Sequence, residues 1–149
     1  MLTSGSSGFL LDTNVISEAT RPSPEPNVMA WLAAADEDRL FLSVATLAEI
    51  SRGVESLAVG KKRRRLREWL LNELIPRFEG RILPVDAAVG MLWGATLVRS
   101  KQAGHEIEAI DALIAATTER HELTLATRNT ADFKMLKLPL FNPWGAVGR

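Results

Sequence analysis

Short apolar runs alternate with stretches of helical periodicity along most of the chain. The run FLL at 9–11 stops at Asp12 and reads as a buried first strand. Thr13, Asn14 and the prolines between 22 and 26 then bring turn chemistry, with one helical turn between them. Residues 28–35 are helix-like and 40–42 form a second strand. Ser43 is placed to cap the next helix, in which Leu47, Ile50, Val54 and Leu57 recur at helical spacing. Leu66, Trp69, Leu70 and Leu74 predict another helix over 62–78, with Pro76 near its end, and the two helices make an arm. A third strand is expected within 81–85. Asp86 then caps a long helix carrying Val89, Leu92, Trp93, Thr96 and Leu97, and Gly104 ends it. Ile110, Leu113, Ile114 and Thr117 place a helix over 108–121, followed by strands at 123–126 and 138–141. Strands alternating with helices give an α/β fold, a three-layer α/β/α sandwich around a mostly parallel sheet. In such folds active sites gather beyond the C-terminal ends of the strands.

Length and composition narrow this picture without changing it. The 149 residues suffice for one domain with a single core, expected over 9–149. Residues 1–8 include the linker-like TSGSSG and are expected to be a flexible extension, native or left by cloning. Eighteen Lys and Arg balance eighteen Asp and Glu, so net charge does not identify a partner. The absence of Cys removes disulfides, thiolate metal sites and cysteine nucleophiles, and it suits a cytoplasmic protein. No segment approaches the length of a membrane span, so no membrane partner is expected.

Four acids fall where chemistry would be expected. Asp12 follows the first strand, Glu49 lies in the helix after the second, Asp111 opens the helix before the fourth, and Asp132 follows that strand. Each has an ordinary role available: a turn cap for Asp12, an i+3 pair with Arg52 for Glu49, a helix N-terminus for Asp111, a surface loop for Asp132. Yet Glu49 and Asp111 lie beside the apolar stripes of their helices, where a carboxylate reaches the rim of a core. Carboxylates that converge without basic partners resist ionising together and ordinarily need a cation. Oxygen-only ligands select Mg²⁺ or Mn²⁺, which suits phosphodiester hydrolysis.

The segments FLLDTNVISE, LSVATLAEISRGVE, IEAIDALIAATTERHELTLATRNTADF and LPLFNPW, running from Phe9 to Trp144, resemble a PIN domain. They are most similar to VapC toxins of the FitB-like branch. The resemblance implies a Mg²⁺- or Mn²⁺-dependent ribonuclease, the toxin of a toxin–antitoxin pair. Asp12, Glu49 and Asp111 would be its metal-binding acids, with Thr13, Asn14 and Thr127 in support. It also implies an RNA substrate, a VapB- or FitA-like antitoxin and a homodimer. The fourth acidic position departs from the pattern, with Asn129 where many relatives carry an acid and Asp132 three residues later. Both remain open: a carboxylate is the better Mg²⁺ partner, whereas an amide can orient a ligand or water.

The basic run Lys61–Arg65 with Arg67 suits phosphate binding or a solvated helix face. His105 and His121 have no metal-ligand spacing, and Ser43 and Thr46 are explained by capping and packing. A haloacid-dehalogenase-like phosphohydrolase also places Asp after the first strand, but it needs a second Asp where this chain has Asn14. A noncatalytic PIN-like module that docks RNA or protein is the other alternative, and metal-dependent turnover would separate the two.

Overall fold

The computed structural model describes residues 8–145; the linker-like stretch up to residue 7 and the last four residues lie outside them. Its elements, in chain order, are β1 (Phe9–Leu11), α1 (Thr13–Glu18), α2 (Pro26–Ala34), β2 (Leu40–Ser43) and α3 (Val44–Glu55). Then come α4 (Lys61–Trp69), α5 (Ile75–Arg77), β3 (Ile82–Leu83), α6 (Ala87–Gln102), α7 (Ala109–Arg120), β4 (Thr124–Ala126), α8 (Thr130–Phe133) and β5 (Leu140–Phe141). The five strands pair in parallel in the order β3-β2-β1-β4-β5. β1, from which the chain enters its first acid, is therefore the central strand.

Successive strand side chains point to opposite faces of the sheet, and the two cores divide accordingly. Phe9, Leu11, Leu40, Leu42 and Ala126 join Val15, Val28, Ile50, Val54, Leu74 and Phe78 on one side. Leu10 and Leu125 join Val89, Ala112, Ile114, Ala116, Phe133 and Leu136 on the other. Both faces are covered by helices, which is the expected three-layer sandwich.

The helix ends follow the chemistry read from the sequence. Ser43 Oγ accepts from the Ala45 amide and Asp86 Oδ1 from the Val89 amide, both at 3.0 Å. After α6 the Gly104 amide donates to the Lys101 carbonyl and the His105 amide to that of Ser100, with Gly104 at φ +79°, a Schellman ending.

Three expectations are corrected. The helix expected over 62–78 is interrupted: residues Leu70–Leu74 form a π-helical turn between α4 and α5, with the Ile75 amide donating to the carbonyl of Leu70. Leu70, Leu74 and Phe78 are all buried, and the wider turn serves that burial along with Pro76, which has no amide to donate. The third and fifth strands shrink to two residues each, as is common at sheet edges, where only one side is paired. Gly8, grouped by sequence with the flexible extension, is buried in the fold. Its carbonyl accepts from the Thr124 amide at 2.9 Å, and at φ +150° a Cβ there would lie 2.4 Å from the Arg39 carbonyl oxygen.

Candidate functional site

Because the sheet is parallel, every strand ends at the same edge, and the helix leading into β4 begins there. Asp12 leaves the end of β1 as the N-cap of α1, Glu49 lies in α3 just past β2, Asp111 occupies the first turn of α7, and Asp132 lies in α8 just past β4. Four segments distant in sequence thus bring their acids to one rim.

Asp12 is the best anchored. Only 4% of it is exposed. Its Oδ1 accepts from the Thr13 amide at 2.7 Å, and its Oδ2 accepts from Thr127 Oγ1 at 2.7 Å and Asn14 Nδ2 at 3.3 Å. Burial pushes its carboxyl above the usual carboxylate range, the hydrogen bonds from Thr127 and Thr13 pull the other way, and the Glu49 charge adds to the rise. Thr127 is the hub of this network, for its Oγ1 also accepts from the Asn129 amide at 3.0 Å and from Asn14 Nδ2. Asn14 completes the brace by accepting from the Arg128 amide.

Glu49 is half-buried and accepts from Thr13 Oγ1, so the Arg52 pairing suggested by spacing gives way to a contact across thirty-six positions. Asp111 is half-buried too, and no hydrogen bond to its side chain exists among the described residues. Its carboxyl is pushed up to about 6, first by burial and then by the charges of Asp12, Glu49, Glu108 and Asp132. Those charges place the four acids in one electrostatic field. Glu108 is an addition to the set, and its signal in the sequence is its place three residues before Asp111 at a helix start. Asp132 is half-buried, whereas Asn129 is exposed and tied to the network through its backbone.

The donor set is oxygen only, which suits Mg²⁺ or Mn²⁺. Among the described residues no three acids stand close enough to cage one ion, so the three acids do not form a ready-made ligand shell. A Mg²⁺ ion that keeps several waters needs only one or two carboxylates, so the residues fit a partly hydrated ion at the mouth of the cluster.

Of the other residues singled out by sequence, His105 is exposed, and His121 is half-buried with no hydrogen-bond partner for Nε2 among the described residues. Thr46 is buried, and its hydroxyl likewise lacks a partner. In the basic run, Arg63 and Arg67 pair with Glu55 at 2.8 Å.

The PIN domain family profile matches residues 9–137. Toxin FitB of Neisseria gonorrhoeae is 45% identical over 136 residues, covering 91% of this chain and 98% of that protein. VapC ribonuclease Y4jK of Sinorhizobium fredii is 36% identical over 136 residues, covering 91% of this chain and 97% of that protein. In a solved structure of FitAB bound to an IR36 DNA fragment, one chain matches with a TM-score of 0.87 at 43% identity, over 93% of this chain and 96% of that one.

Proposed function

The chain belongs to the PIN-domain family, and from that premise we propose that it is a Mg²⁺- or Mn²⁺-dependent endoribonuclease and the toxin of a toxin–antitoxin pair. The observation that carries this reading is the charge-crowded rim, where Asp111 lies in the field of Asp12, Glu49 and Asp132 with no basic partner. A cluster of this kind gains most from a divalent cation.

The residues divide the work. Asp12, Glu49 and Asp111 would hold a partly hydrated ion, one or two of them directly and the rest through its waters, with Asp132 as the fourth group. Thr127 and the Thr13 amide fix the Asp12 carboxylate, and the Thr13 hydroxyl fixes Glu49, so neither needs to reorganise when substrate arrives. A divalent cation bound there supplies positive charge against the scissile phosphate and acidifies water at neutral pH. Asn14 and Asn129 brace the network and carry no charge, in keeping with a site whose anions face a cation and not a phosphorylated Asp.

The FitB relative is named a toxin, and FitAB and VapBC complexes are the solved neighbours, so the partner expected here is a small FitA- or VapB-like antitoxin. A homodimer and a cytoplasmic location complete the reading; among the described residues no helix is long and apolar enough to cross a membrane.

The test is incubation of purified, antitoxin-free protein with total RNA, with and without Mg²⁺ or Mn²⁺. Metal-dependent cleavage should leave 5′-phosphate and 3′-hydroxyl ends. Cyclic phosphate ends, or cleavage indifferent to chelation, would overturn the mechanism, and absence of cleavage would favour the binding module.

A further inference from the structure

The buried threonines of the helices satisfy their hydroxyls in different ways. Thr117 and Thr118 in α7 donate to the carbonyls of Leu113 and Ile114 at 2.9 and 2.8 Å, the common bond to the residue four positions back. Thr96 Oγ1 in α6 accepts from Arg99 at 3.2 Å. Thr46 in α3 is as deeply buried, with 0% exposed, yet its hydroxyl has no hydrogen-bond partner among the described residues. Position explains the difference. Four residues back from Thr46 is Leu42, in β2 and outside the helix, so the carbonyl that serves Thr117 and Thr118 is not beneath it. A buried hydroxyl without a partner is destabilising, because its desolvation is uncompensated.

The surroundings of Thr46 indicate what could use that hydroxyl. Successive residues of a helix turn by about 100°, which sets Glu49 and Thr46 side by side between Ala45 and Ile50. Ala45 packs into one core and Ile50 into the other, so this strip of α3 lies on the seam between them, just past the end of β2. Helix side chains lean toward the N-terminus, which carries the Glu49 carboxylate back over the turn that holds Thr46. Glu49 Oε1 accepts from Thr13 Oγ1, and its other oxygen receives no hydrogen bond among the described residues. Asp12 has three donors, one of them the Thr127 hydroxyl. A free donor and an under-used carboxylate thus share one face of α3.

Resting on the metal-dependent reading, we propose that Thr46 is a positioning residue of the metal site, whose hydroxyl holds the Glu49 carboxylate when that carboxylate faces a divalent cation. Carboxylates that serve a cation are themselves held by hydrogen bonds, and Thr46 does for Glu49 what Thr127 does for Asp12. The bond belongs to the cation-bound protein, so the metal-free protein carries the cost of the buried hydroxyl and binding relieves it. Ordinary packing has no such coupling: here, removing the hydroxyl favours the metal-free fold and weakens the hold on the ion.

The experiment titrates Mn²⁺ into purified, antitoxin-free protein, reads the free ion by electron paramagnetic resonance, and measures Tm without metal. Thr46→Val removes the hydroxyl and nearly keeps the shape. Its metal-free Tm should be unchanged or raised by about 2–4 °C, and its Mn²⁺ binding should be about tenfold weaker. Thr46→Ser, which restores the hydroxyl, should bind Mn²⁺ nearly as wild type does. Thr117→Val removes a buried hydroxyl remote from the acids and should leave the affinity unchanged. Glu49→Gln leaves Asp12 and Asp111 to hold the ion, and in that background Thr46→Val should cost no further affinity. Wild-type affinity in Thr46→Val, or an equal loss in Thr46→Ser, would overturn the proposal. So would a full additional loss in the Glu49→Gln background, for Thr46 would then act on another group. A metal-free Tm lowered by many degrees in Thr46→Val would make the hydroxyl a structural bond. If wild type binds no Mn²⁺, the metal-dependent reading fails with the proposal; if wild type and Thr46→Val bind it equally, that reading stands and only the role of Thr46 fails.

Discussion

Asp12 and Asp111 belong to one rim but are prepared in opposite ways. Asp12 is sunk at the end of the central strand and held by three donors, which offset much of the cost of its burial. Asp111 is less deeply placed, receives no hydrogen bond from the described residues and sits among four other acids. The first is a carboxylate fixed in position and the second a carboxylate in need of a positive charge. The difference teaches that the rim separates rigidity from charge: the β1–α1 junction fixes one carboxylate in place, and the start of α7 leaves another in the field of its neighbours.

The sharpest way to break that comparison is at Asp12 itself. Asp12→Asn keeps an acceptor for the Thr13 amide but removes the charge, and cleavage should fall by at least about 100-fold. Metal-free protein should melt at the same temperature or slightly higher, because a repelling charge is gone. A drop of many degrees would make Asp12 a structural cap first.

The second effect falls on the brace. Thr127→Val deprives Asp12 of a donor and the Asn129 amide of an acceptor inside a buried network. It should destabilise the protein by about 1–3 kcal/mol in chemical denaturation and lower cleavage about tenfold. Unchanged stability and rate would show that Asp12 does not depend on its donors.

Asp132 and Asn129 make a smaller and more discriminating pair. Asp132 contributes to the field at Asp111, whereas Asn129 reaches the network through its backbone. Asp132→Ala should therefore raise the Mg²⁺ concentration for half-maximal cleavage several-fold, and Asn129→Ala should lower the rate at saturating metal with a smaller change in that midpoint. A midpoint that moves only in the Asn129 variant reverses the assignment.

The smallest effect is a pH dependence. Asp111 holds its proton more tightly folded, to about 6, than its ordinary value of 3.8, so its stabilising protonation is fully present below about pH 4 and lost as pH rises through 6. Between pH 5 and 7, metal-free wild type should lose about 2–4 °C in Tm relative to Asp111→Asn, and Mg²⁺ should restore it. Parallel profiles for the two proteins would mean that Asp111 does not feel its neighbours.

Much of this was legible before any coordinates. The runs at 9–11 and 40–42, the caps Ser43 and Asp86 and the stop at Gly104 are local patterns, because capping and periodicity act over a few residues. A strand–helix alternation also orders the strands in parallel, which carries acids placed after strands to one edge. Tertiary structure alone decided the partnerships. Glu49 bonds Thr13 and not Arg52, and Thr127 reaches Asp12 from 115 positions away. Glu55 pairs with both Arg63 and Arg67, whereas Lys62 and Arg65 have no ion pair among the described residues. Only packing reveals that Gly8 must pass against Arg39, and that residues 70–74 widen into a π turn. The physical reason is one of range: a side chain's propensity is a property of its neighbours in the chain, whereas its hydrogen bonds and its field depend on what the fold brings beside it.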